Sequence, residues 1–226
     1  MTDLVKDIVG TSEFTEILIV RHGLPVRVEN TPRPDPELSP IGRGQAQAVG
    51  EWLAQEPITA LYSSNMRRAA ETASPAARLL DLPVHVDADL AEFELGADYY
   101  IPLEEMRAEQ DPRLDRFRAW IDSPEAPAIL DGYQVRVVNA LERIVADNLG
   151  GVVAVFAHGG VVNAAARKAL DHPGRSVVEA VYASMTRIQI TADLRWKLRS
   201  FNEIQHLRQS RPYAGSPSAT ARTRSM

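Results

Sequence analysis

Two histidines in this 226-residue chain share one setting, each following an apolar run and preceding glycine. Ile17-Leu18-Ile19-Val20 leads into Arg21-His22-Gly23, and Val152-Val153-Ala154-Val155-Phe156 leads, through Ala157, into His158-Gly159-Gly160. A third apolar segment ends at Tyr62 and is followed by Ser63-Ser64-Asn65-Met66 and then Arg67-Arg68. If the three segments are neighbouring strands, their ends gather two imidazoles and at least two guanidinium groups. Arginine is almost never fully buried without a partner, so something beyond the strand end must receive Arg21.

A lone His-Gly pair is often a strand-to-helix turn, with glycine supplying a positive φ and histidine a bystander. Two such turns, with arginines at a third strand end, argue for more than that. A metal ion suits histidine, but guanidinium groups beside the imidazoles would repel a cation. A phosphate fits, because the planar donors of arginine pair with its oxygens. One imidazole can then attack phosphorus in its neutral form while the other donates to the developing charge. The flanking arginines favour the neutral nucleophile, since like charges disfavour imidazolium. The leaving oxygen needs a proton, and the acids near it lie in the carboxylate-rich stretch DADLAEFELGADYY. Glu92 and Glu94 share one face if that stretch is extended. Composition leaves open which of Arg67 and Arg68, and which of Glu92 and Glu94, takes part.

Positioning these groups calls for strands alternating with helices. Strands are expected over 17–20, 58–63 and LPVHV, over VVAVF, and near 186–191 and 195–201. Ser39 reads as an N-cap with Pro40 at the first helical position. Further helices are expected from Ser64 or Asn65 to Leu80, from Pro102 to about Ile121 with a break at Pro112, over 133–148, and over 161–170. The stretch 87–100 reads as irregular. This alternation predicts an α/β sandwich with a mostly parallel sheet, whose ligands bind outside the carboxyl ends of the strands.

Hydrophobic residues make up 45% and charged residues 24%, as in ordinary soluble domains. The absence of cysteine excludes disulfides, thiolate metal sites and cysteine nucleophiles, and fits a reducing compartment. Net charge is −5, which argues against nucleic acid as a partner. No apolar run approaches the ~20 residues of a membrane span, and the N-terminus lacks a basic region followed by an apolar core. A cytoplasmic protein is the expectation. Residues 1–14 read as a flexible N-terminus, 15–207 as a single domain, and 208–226 as a disordered basic tail with four arginines and no acid.

The motifs VRHG, LSPIGRGQA, YSSNMRRAAETA, LAEFELG and FAHGG, in that order, resemble the histidine phosphatase superfamily in its phosphoglycerate mutase-like branch. The resemblance runs from about Glu16 to Gln205. It implies a three-layer α/β/α sandwich with a mostly parallel central sheet, a phosphohistidine intermediate, and no metal or other cofactor. By the same resemblance His22 is the nucleophile, Arg21 and Arg68 bind the transferred phosphate, and Arg67 faces elsewhere. Glu92 is the acid, with Glu94 as runner-up, and His158 is the second histidine on the phosphate. Ser39, Gly42, Gln45 and Ala46 match a structural helix-start motif.

The chain departs from that pattern where mutases hold small, highly charged substrates. Leu24, Pro25 and Val28 stand where the family usually has polar residues, and GADYYIP stands where it has G-x-x-x-G after the acid, which implies that Tyr99 and Tyr100 line the leaving-group side. Between Glu92 and His158 the chain is also short for a mutase insert. These departures favour a phosphatase for a small phosphomonoester, with Leu24, Tyr99 and Tyr100 as pocket residues and an apolar or aromatic leaving group. The alternatives are a cofactor-dependent phosphoglycerate mutase and a non-catalytic phospho-ligand binder. A homodimer is compatible with the sequence. His85, His172 and His206 are expected to be structural or on the surface, and Trp52, Trp120 and Trp196 to be core.

Overall fold

The computed structural model describes residues 13–32, 34–93, 99–101 and 103–208 except 175–176. Of the stretches singled out above, residues 1–12, Glu94 to Asp98, Pro102 and the tail from 209 lie outside the described residues.

A strand that is dry on both faces needs a helical layer on each side. In β1 (Phe14–Arg21), Ile17 and Ile19 pack into one cluster and Leu18 and Val20 into another, and all four are fully buried. The chain continues through α1 (Pro40–Leu53), β2 (Ala60–Ser63), α2 (Arg67–Leu80) and β3 (Val84–Val86). Next come α3 (Leu103–Ala108), α4 (Arg113–Ile121) and α5 (Ala126–Asp147). It closes with β4 (Val152–Ala157), α6 (Gly159–Leu170), β5 (Met185–Thr191) and β6 (Trp196–Glu203).

The sheet runs β3-β2-β4-β1-β5-β6, parallel across the first four strands and antiparallel at β5 and β6. One face carries α1 and α2, where Val49, Leu53, Ala73 and Ala76 meet Leu18, Val20 and Phe156. The other carries α5 and α6, where Leu141, Ile144, Val161 and Val162 meet Ile17, Ile19 and Val155. This is the α/β sandwich that the alternation predicts, in the three-layer α/β/α form that the resemblance implies. Helices α3 and α4 stand apart over a small cluster of Ile101, Met106 and Leu114.

Several boundaries differ from the sequence reading for identifiable reasons. Helix α5 begins at Ala126 rather than near 133, because Pro127 fits a first turn that needs no N–H donor and Ala126 is fully buried. Helix α2 begins at Arg67, since Ser64 stays extended and its hydroxyl accepts from Met66 N at 3.3 Å. Helix α6 begins at Gly159, so both glycines of the His-Gly-Gly motif lie in its first turn. Helices α1 and α2 pack backbone to backbone: a Cβ on Gly50 would lie 2.9 Å from Ala76 N and Pro75 C.

Candidate active site

Three adjacent parallel strands end together. Arg21 lies opposite Ala157 across β1 and β4, and Ser63 opposite Phe156 across β2 and β4. The residues that follow, His22, His158 and Ser64, therefore meet at the carboxyl edge of the sheet, where ligand sites of open α/β sheets form. Main-chain bonds fix the meeting: His22 N donates to Ala157 O at 2.9 Å and Ser64 N to Phe156 O at 3.0 Å.

His22 is 2% exposed. Its Nδ1–H donates to Gly23 O at 2.8 Å, which fixes the tautomer and leaves the lone pair on Nε2. Burial, and then the charges of Arg68 and Arg21, hold its pKa well below 6.5, so the ring is neutral at pH 7. The loop after it is clamped to the start of α1. Leu24 N donates to Gln45 Oε1 at 2.8 Å, and Leu24 O accepts from Ser39 N at 2.9 Å and from Ser39 Oγ at 2.8 Å. The contact is close because Gly42 is small: a Cβ there would lie 2.1 Å from Leu24 O. Ser39, Gly42 and Gln45 thus hold the loop after His22 from outside the site. Ser39 also caps α1, accepting from Gly42 N at 3.1 Å.

His158 is fully buried, with its ring centroid 5.1 Å from that of His22. Its Nε2 lies 2.7 Å from Ser64 Oγ, which orients the ring. Burial first, and then His22, Arg68, Arg21 and Arg136, hold its pKa well below 6.5.

The two neighbouring arginines of α2 part company. Arg68 is 1% exposed; its guanidinium lies over the Tyr100 ring at 4.7 Å, and Nη2 donates to Met66 Sδ at 3.2 Å. Its Nη1 is 3.6 Å from Asp35 Oδ1. Arg67 points outward, pairing with Glu37 and with Glu71 Oε1 at 2.8 Å. Arg21 donates from Nη1 to Ala180 O and lies over the Tyr182 ring at 3.9 Å. Among the described residues, no cluster of three or more histidine, aspartate or glutamate side chains is disposed to hold a metal ion.

Glu92 reaches the site from the segment after β3. Its Oε2 accepts from Gly160 N at 3.1 Å, and its Oε1 from Tyr133 OH at 3.1 Å and Phe93 N at 2.9 Å. A carboxylate bonded to the first turn of α6 also faces the positive end of the helix dipole. Burial and then the charge of Glu92 push the Tyr133 hydroxyl well above 10, so it remains a donor.

Glu92 and Arg21 open onto a cavity of about 480 Å³. Of the three expected pocket residues, Tyr100 lines it. Tyr99 packs against the Ile101, Met106 and Leu114 cluster, beneath the Arg113 guanidinium at 4.9 Å. Leu24 is not on the cavity wall; its main chain serves the clamp to α1. His206 is buried and bonds Ala183 O through Nε2 at 2.8 Å, whereas His85 and His172 are exposed.

Sequence reasoning missed Tyr182, Ser64, Tyr133 and Asp35. Ser64 lies in the YSSNMRRAAETA motif, four residues before Arg68, and was legible there. Tyr182 carried no local signal: it follows α6 by a dozen residues and reaches Arg21 only through the turn before β5.

The chain is similar to known proteins over most of its length. Phosphoglycerate mutase-like protein 4 of Arabidopsis thaliana is 31% identical over 208 residues, 88% of this chain and 89% of the relative. The metal-independent phosphoserine phosphatase of Arabidopsis thaliana is 30% identical over 216 residues, 89% of this chain and 87% of the relative. The chain spans 55% of the length of a bifunctional protein of Mycobacterium tuberculosis, to which it is 32% identical over 204 residues. Among solved structures, a mycobacterial glucosyl-3-phosphoglycerate phosphatase superposes with a TM-score of 0.67 at 27% identity, covering 83% of this chain and 98% of that one. With residues 9–204 matching its profile, the chain belongs to the histidine phosphatase superfamily, branch 1.

Proposed function

We propose that this histidine phosphatase hydrolyses small phosphomonoesters through a phosphohistidine at His22. The observation that carries the reading is the placement of that ring: Gly23 O holds its Nδ1–H, which leaves the Nε2 lone pair free of that bond, beside two buried guanidinium groups whose charge favours the neutral imidazole. Nε2 attacks phosphorus in line with the leaving oxygen. Arg21, Arg68 and His158 hold the three equatorial oxygens and take up the charge that develops on them. Glu92 enters the cycle in its acid form, gives its proton to the leaving alcohol, and regains one from the water that attacks the phosphohistidine and breaks the P–N bond, which restores neutral His22 and releases inorganic phosphate.

The relatives named above as phosphoserine and glucosyl-3-phosphoglycerate phosphatases support a small phosphorylated metabolite as the substrate. Action without nucleic acid or membrane, in the cytoplasm, belongs to the same proposal. It is supported by the net charge of −5 and the lack of cysteine, and no described helix is long and apolar enough to cross a membrane.

The test is turnover of an aryl phosphate by His22→Ala. Loss of at least about three orders of magnitude in kcat is expected for removal of a covalent nucleophile. Retention of normal turnover would overturn the reading.

A further inference from the structure

The cavity beside Glu92 says what kind of alcohol leaves. If Glu92 protonates the leaving oxygen, the carbon attached to that oxygen must lie next to the cavity wall. At about 480 Å³ the cavity falls in the size range that holds drug-sized ligands, well beyond the needs of a three-carbon leaving group.

Six large apolar side chains line it, Phe93, Ile101, Met106, Phe117, Leu130 and Val178, alongside the charged Arg21, Glu92, Arg107, Arg167 and Glu179. Phe93 directly follows Glu92 in the chain and stacks on Trp120, with ring centroids 4.8 Å apart. The polar side chains on the wall are largely occupied by the protein itself. Asn163 donates to Gly159 O at 3.1 Å and Val178 O at 2.9 Å, and accepts from Val177 N at 2.7 Å and Val178 N at 3.0 Å. That exhausts the hydrogen-bonding capacity of an asparagine side chain. The Gln134 amide donates to Ala164 O at 2.8 Å, and the Tyr133 hydroxyl donates to Glu92. Arg107, at the exposed rim, lies 3.4 Å from Glu179, and Arg167 lies 3.6 Å from Asp131.

A polyhydroxylated leaving group would find Asn163 and the Gln134 and Tyr133 donors already engaged, and each buried hydroxyl left unpaired is penalised. An apolar group would gain from the same wall. Building on the phosphatase reading above, we propose that the substrate is the phosphomonoester of a bulky apolar alcohol, with Phe93 and Phe117 as specificity-determining residues.

The discriminating comparison is the wild-type kcat/KM for 2-phenylethyl phosphate and hexyl phosphate against glycerol 3-phosphate and phosphoserine. All four are esters of aliphatic alcohols, so recognition rather than leaving-group acidity dominates the difference. The apolar esters are expected to lead by about tenfold or more, as burial of one large apolar group allows. Phe117→Ala, on the partly exposed α4, should then lower kcat/KM for 2-phenylethyl phosphate about tenfold while changing glycerol 3-phosphate less than about twofold. Polar esters turned over as well as or better than the apolar ones would overturn the proposal and leave the phosphatase reading standing. Equal losses on both substrates in Phe117→Ala would remove Phe117 from the specificity wall. No phosphate release from any of the four would overturn the phosphatase reading itself, and the proposal with it.

Discussion

The main-chain nitrogen of Gly160 stands 3.1 Å from Oε2 of Glu92, and residue 160 permits this only because it lacks a side chain. A Cβ at that position would lie 2.2 Å from Glu92 Oε1 and 2.7 Å from Tyr133 OH. Gly160 sits in the first turn of a helix and needs no unusual backbone angle, so alanine there should fold. Gly160→Ala is expected to lower kcat by at least about tenfold through displacement of the carboxylate, within the range that general acid–base catalysis contributes. Combined with Glu92→Gln it should cost little more than Glu92→Gln alone, since both act through one group. Fully additive losses in the double-mutant cycle would show that Gly160 acts by another route.

Arg67 and Arg68 are adjacent in sequence and opposite in environment. If Arg68 holds the phosphate as proposed, Arg68→Ala should reduce kcat/KM at least about a hundredfold through loss of charge-assisted bonds. Arg67→Ala removes only exposed ion pairs to Glu37 and Glu71, each worth at most about 1 kcal/mol. Its kcat/KM should stay within about threefold of wild type. Steady-state kinetics of the two variants side by side would reveal a reversal.

The Tyr182 ring lies 3.9 Å from the Arg21 guanidinium carbon and 5.5 Å from the His22 ring. The turn that presents it is held by Ala183 N donating to His22 O at 3.1 Å and by His206 on Ala183 O. If the ring positions Arg21, Tyr182→Phe should bind orthovanadate as wild type does, whereas Tyr182→Leu should bind it several-fold more weakly, as loss of a cation–π contact implies. Equal weakening in both variants would point to the hydroxyl instead of the ring face.

Acid should destabilise the fold through its buried histidines. His22, His158 and His206 all have pKa values lowered by burial, whereas in the unfolded chain they titrate near 6.5. As pH falls below about 6.5, the unfolded state takes up protons that the folded state refuses. Each histidine then withdraws up to about 1.4 kcal/mol of stability per pH unit until its folded pKa is reached. Thermal melts from pH 8 to 5 should be flat above about pH 7 and fall below 6.5. His206→Asn should shallow the fall; a profile that rises on acidification would contradict the neutral state of these rings.

What the sequence made legible follows from how local each signal is. The apolar runs of β1 and β4 announce strands buried on both faces, and the residues just past them fall at the sheet edge by necessity. The Ser39-Pro40 start of α1 is likewise a local cap, visible as such. Glu92 and Gly160 lie 68 residues apart, and their contact depends on how the segment after β3 crosses the first turn of α6. Tyr182 is harder still: a positive φ of 57° at Ala183, in a residue type that rarely adopts it, sets the turn that aims the ring. Tyr99 and Tyr100 show the opposite limit. Adjacent in an extended segment, they face opposite ways, so Tyr100 lines the cavity and Tyr99 packs with Ile101. The start of α5 was missed because its first seven residues contain a proline, a glycine and the exposed Ile129, which break the apolar stripe.

The most direct measurement of the central claim is rapid acid-free quenching during turnover of an aryl phosphate, followed by peptide mapping by mass spectrometry. An acid-labile phosphoryl group on the peptide bearing His22, absent from His22→Ala and accumulating in Glu92→Gln, is the expected result. A label on His158, or steady turnover with no phosphoenzyme at any residue, would contradict nucleophilic attack by His22.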